Sequence, residues 1–176
     1  MTRTPLITVL MMSLLLSLAA ACGATGPAAA PDAPEATARG LVEPMRGKVA
    51  LDQGSAALFR DLANYSVRER FLFAVLACAD EVRAGDFRRF FASPEGIMGP
   101  EAIAGLRAMG MVNTAAVAQK AANVLGREFP RDLAERRRAV DANVAALNTL
   151  DAEFTQLLSV EAGGIDVATD RLARMR

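Results

Sequence analysis

One stretch limits the fold more than any other: Ser66 to Ser93, SVRERFLFAVLACADEVRAGDFRRFFAS. Ser66 is a good helix cap, and Glu69 three residues later completes a capping box. Val67, Phe71, Ala74, Val75, Cys78 and Val82 then recur every three or four residues, the period of a helix face. Arg68, Arg70, Asp80, Glu81 and Arg83 mostly fall off that stripe, so the segment reads as one long amphipathic helix. Gly85 can take the left-handed conformation that ends a helix, and Asp86 can cap the turn after it. Phe87, Phe90 and Phe91 put their rings on one side of a single turn, a spacing that reads as a core plug before it reads as a ligand cage. Cys78 lies on the apolar stripe with nothing placed to lower its pKa. It reads as a small buried hydrophobe, not a reactive thiol.

The rest of the chain keeps the same period. Ser55 to Asn64 carries Ala57, Leu58 and Leu62 at helical spacing. Gly99-Pro100 opens another helix, with proline in its first turn, Ile103, Leu106 and Met109 inward and Gly110 as its stop. Asn113 is expected to cap the next one, whose stripe is Val117, Ala121, Val124 and Leu125 and whose end is marked by Gly126 and Pro130. Arg131 to about Val160 has neither glycine nor proline and reads as a single helix of some eight turns. On it, Arg136-Arg137-Arg138 reads as a solvated face that Asp132, Glu135 and Asp141 can pair with. Gly163-Gly164 breaks it, and Ile165 to Arg176 forms a short amphipathic tail. No strand alternation or hairpin signal appears. Residues 49–176 therefore predict an all-α fold, a single compact helical domain of about six helices, long enough for one hydrophobic core.

The residues before it read as an address and a tether. Residues 1–21 have a basic start at Arg3, an apolar run from Leu6 to Leu18 too short to span a bilayer, and small residues at Ala19-Ala20-Ala21. Leu18-Ala19-Ala20-Ala21-Cys22 resembles a bacterial lipobox, with the leucine one position farther from the cysteine than usual. That resemblance implies lipidation of Cys22 and a membrane-anchored lipoprotein facing the periplasm; the alternative is ordinary cleavage and a soluble periplasmic protein. Residues 22–48 carry Pro27, Pro31, Pro34 and Pro44 and almost no large apolar side chain before Leu41, which predicts a disordered tether. With Cys22 lipidated, Cys78 has no partner, so no disulfide framework is expected.

Composition narrows the function. The chain has 20 basic and 20 acidic residues, an unsuitable footprint for nucleic acid. It has no histidine, which removes Ser-His-Asp and Cys-His catalysis and the commonest metal ligand. No CxxC, phosphate loop or metal-binding helix motif is present. No catalytic residue, metal or cofactor is expected.

Glu81-Val82-Arg83-Ala84-Gly85-Asp86-Phe87-Arg88-Arg89-Phe90-Phe91 resembles the signature of the C-terminal domain family of the bacterial DNA-mimic protein. Glu101-Ala102-Ile103 to Leu106, Gly110, Thr114-Ala115 and Leu150-Asp151-Ala152-Glu153-Phe154 are similar to its later segments, in the same order. Ala84, Asp86 and Arg89 stand where asparagine, glycine and glutamine are usual. The resemblance implies the helical fold. The family's founding member is implied to act through an acidic surface that imitates DNA; this near-neutral, exported chain is not expected to. The expected role is a non-catalytic interaction module for an envelope protein, with Glu81, Gly85, Asp86, Phe87, Arg88, Arg89, Phe90 and Phe91 as candidate binding residues. The alternative is a small-molecule or peptide binder with an apolar cavity lined by Phe71, Phe87 and Phe90.

Overall fold

The computed structural model describes residues 37–175. The expected signal peptide, Cys22 and the first part of the expected tether lie outside the described residues.

The fold begins earlier than the sequence suggested. Helix α1 spans Ala38–Val42, capped by the Thr37 side chain, which accepts from the Gly40 N–H. A 3-10 turn, Glu43–Met45, comes next. Ala38, Val42, Met45 and Val49 are buried in the core, so residues 37–48, expected to be tether, are corrected to part of the packed domain. Pro44 does not break structure here because it sits in the first turn of the 3-10 segment, where no internal N–H is needed. Three ties fasten this strap. The Ala38 N–H donates to Asp170, Arg39 makes two hydrogen bonds to Asp80, and the Ala50 N–H donates to Asp61.

Beyond the strap come α2 (Gly54–Leu62), α3 (Val67–Ala84), α4 (Phe87–Ala92) and a 3-10 turn at Pro94–Met98. The chain continues through α5 (Gly99–Ala108), α6 (Val112–Val124), α7 (Leu133–Ala142), α8 (Val144–Val160), a 3-10 turn at Glu161–Gly163, and α9 (Ile165–Arg174). The described residues contain no strand, and the all-α expectation holds. The count of about six helices rises to nine α-helices among the described residues. The additions are α1, the aromatic turn (itself a helix, α4), and a division of the expected Arg131–Val160 helix at Asn143.

Helix α3 is the hub, packing against α1, α4, α5, α8 and α9. The Ser66–Glu69 capping box forms as expected. The helix is not simply amphipathic, however. Besides Ala74, Val75, Cys78 and Val82, it buries Leu72, Phe73, Leu76 and Ala79, while Val67 at its start is exposed. A helix enclosed on several sides needs apolar residues round most of its surface. Against α5 the approach is tight: a Cβ on Gly105 would stand 2.7 Å from a Val75 methyl.

Helix α6 is not capped by Asn113. The carboxylate of Glu161 caps it instead, from the far end of α8, accepting from the Asn113 and Thr114 N–H groups and from both side chains at 2.6–2.9 Å. Asn113 is one of the donors because the helix already starts at Val112.

Candidate functional site

The Glu81–Phe91 segment that carries the family resemblance forms the junction of α3 and α4. Gly85 does not adopt the left-handed conformation expected of it; its φ is −163°, open to any residue. What a side chain there would lack is room, since a Cβ would stand 2.7 Å from the Arg89 stem. Asp86 caps α4 as expected, accepting from the Arg89 N–H at 2.7 Å. A second carboxylate joins it: Asp151, from the middle of α8, accepts from the Phe87 N–H at 2.9 Å. Burial pushes the Asp151 carboxyl above its usual range against the pull of that hydrogen bond, with the Asp86 charge adding to the rise.

Behind the turn lies an aromatic cluster. The Phe87 ring is 4.6 Å from Phe154 and 5.7 Å from Phe91, and Phe91 is 5.0 Å from Phe90 and 5.9 Å from Phe129. Such offset and tilted contacts are favourable beyond their buried area. Phe87, Phe90 and Phe91 are each at most 2% exposed. They lie in the core, where the plug reading put them, and not on the exposed surface expected of binding residues.

Arg136 completes the junction from behind. The basic cluster was expected to be a solvated face, yet Arg136 is fully buried. Its guanidinium donates to the carbonyls of Phe91 (2.7 Å), Ser93 (2.9 Å), Arg131 (3.1 Å) and Pro130 (3.3 Å). Burial lowers its pKa to about 10, so it stays charged at neutral pH. Arg137 adds a hydrogen bond to the Ala92 carbonyl. The orphan carbonyls at the end of a short helix thus receive a cationic partner where the helix dipole favours one. Sequence spacing carries a signal for this: Arg136 stands four residues before Val140 and eleven before Leu147, on the buried stripe rather than beside it.

The other candidate residues face outward. Glu81 and Arg89 form an ion pair at 2.8 Å, Asp86 is half-buried, and Gly85 and Arg88 are exposed. Gly85, Asp86, Arg88 and Arg89 line a shallow cleft of about 390 Å³, closed on its far side by Val140 and Asp141.

A second cleft, of about 290 Å³, lies between the strap and α3. Nothing in the sequence pointed to it, because the strap reads there as tether. Asp80 at its edge is held below the usual carboxylate range by its hydrogen bonds from Arg39, against the effect of burial.

Cys78 is buried, and desolvation pushes its thiol far above the range in which a thiolate forms at neutral pH. Among the described residues, no group of three or more Cys, Asp or Glu side chains is placed to hold a metal ion. No described helix is long and apolar enough to cross a membrane.

An all-helical domain whose distant motif segments converge on one capped aromatic turn defines the class. A family model described as DMP19-like protein matches residues 63–174, and the chain belongs to that family. The matched stretch runs from just before α3 to the end of α9 and so includes Arg136 and Asp151 as well as the aromatic turn. No curated protein and no solved structure matches the chain.

Proposed function

We propose that this protein is a non-catalytic interaction module, held at the bacterial envelope by a lipid on Cys22, that meets a protein partner with the outer edge of the α3–α4 junction. One observation supports the choice of surface. The junction is braced from within by Arg136, Asp151 and five phenylalanine rings, yet it presents Arg88 and Arg89 to solvent. A charged edge on a fixed backbone loses little conformational freedom on binding, which favours selective contact. Charged edges of this kind steer encounter and select partners more than they add affinity.

The test is capture of partners from envelope extracts with the full-length protein, repeated with Arg88→Glu. Arg88 serves better than Arg89, whose loss would also strip Glu81 of its ion pair. The expected outcome is loss of the main partner at unchanged thermal stability. An identical partner set would remove this edge from the proposal. The anchor is tested separately by the mass of the mature N-terminus, expected to show a diacylglyceryl group on Cys22; an unmodified terminus within the alanine run would refute it.

A further inference from the structure

The cleft between the strap and α3 has a divided chemistry. Phe73, Leu76, Ala77, Asp80 and Glu81 line it from α3. Their spacing of three, one, three and one puts all five on one helix face. Along that face the lining changes from apolar to acidic towards the end of the helix. Asp80 and Glu81 sit in the last turns, where the helix dipole disfavours negative charge. The strap supplies the opposite wall, with Val49 and Leu51 extending the apolar part and Gly47 forming an open turn at φ +72°.

The charges around the cleft are unevenly matched. Asp80 is held by Arg39 at 2.8 Å and approached by Arg46 at 3.9 Å, and Arg46 also meets Glu43. Glu81 is held by Arg89. Glu95, at the start of the Pro94–Met98 turn, also lines the cleft, and its side chain has no hydrogen bond or ion pair among the described residues. Among the described residues the cleft therefore combines an apolar wall with one uncommitted carboxylate, Glu95, while its Asp80 and Glu81 are already paired with arginines.

We propose that this cleft is a binding site for a small aliphatic cation, a primary amine or guanidine on an unbranched carbon stem. The stem lies along Phe73, Leu76 and Ala77, and the cationic head pairs with Glu95. Its volume, about 290 Å³, stands at the lower end of small-molecule pockets and suits a ligand of this size. A neutral apolar ligand would leave the Glu95 carboxylate as it is, and an anion would be repelled by it, whereas Asp80 and Glu81 already have arginine partners. This site is separate from the α3–α4 edge and does not depend on the partner proposal.

The experiment is calorimetric titration of the purified full-length protein with n-hexylamine. Parallel titrations use 1-hexanol, which keeps the stem and lacks the charge, and ammonium chloride, which keeps the charge and lacks the stem. Saturable one-to-one binding is expected for hexylamine alone. Glu95→Gln, a change at a partly exposed side chain without partners among the described residues, is expected to weaken it about tenfold or more, the usual effect of losing a charge-assisted contact. Glu128→Gln, at an exposed residue outside this cleft, is expected to leave it unchanged. Absence of saturable hexylamine binding would overturn the proposal. So would equal binding of hexanol, wild-type affinity in Glu95→Gln, or an equal loss in Glu128→Gln, which would mark diffuse charge attraction.

Discussion

Arg136 shows how much one side chain can organise. A buried guanidinium that makes no ion pair among the described residues is costly to desolvate, and the fold offsets that cost with four carbonyl acceptors. Those acceptors belong to the end of α4, the turn after it and the approach to α7, so one residue ties three segments. Arg136→Met is expected to fill similar space while leaving four carbonyls without their donor. Urea unfolding should then show a loss of about 3–5 kcal/mol, the cost of leaving several buried acceptors unsatisfied. Arg136→Lys should recover only part of it, because an ammonium cannot reproduce the planar spread of donors. In the sequence, three consecutive arginines look like a solvated face. Charge type points outward there and helical register points inward, and register is the better guide.

At the scale of elements, starts are more legible than ends and breaks. The Ser66 capping box and the Asp86 cap are readable because cap chemistry is local. The division between α7 and α8 is not. Asn143 leaves helical geometry at φ −127° and ψ 21°, and its side chain donates to the Ala139 carbonyl. No glycine or proline marks the place; an asparagine that bonds the carbonyl four residues before it suffices. The Glu161 cap on α6 is equally hidden, since its donors lie 47 and 48 residues away. Long-range capping leaves no local pattern to read. The α3–α5 contact makes a testable element-scale case. In an open helix, Gly105→Ala would gain about 1 kcal/mol from helix propensity. Here the added methyl meets Val75 and Phe71, and overpacking costs about 1–3 kcal/mol. Thermal melting should show a net loss, with the sign opposite to that expected from propensity.

For the whole molecule, the response to pH depends on which groups are tied. Glu69 is held below its usual pKa chiefly by its hydrogen bond with Ser66, and Asp80 chiefly by Arg39. Burial raises the Glu161 carboxyl, but its four hydrogen bonds with Asn113 and Thr114 outweigh that and leave it lowered. A carboxyl with a lowered folded-state pKa adds stability above its unfolded value, and that contribution disappears as pH falls through the folded value. Asp151, raised by burial, has the opposite sign. Three lowered groups against one raised predict falling stability below about pH 4. With no histidine in the chain, a nearly flat profile is expected from about pH 5 to 8. Urea midpoints at pH 7, 5 and 3 check this, and Glu161→Gln should lessen the acid loss.

The strap carries one more consequence. The family likeness starts at residue 63, whereas Ala38, Val42, Met45 and Val49 are inseparable from the packed interior. The start of the matched stretch and the start of the packed unit differ by some two dozen residues. A chain cut at residue 63 would uncover apolar surface on its hub helix, so the unit that packs is larger than the stretch that the family model matches.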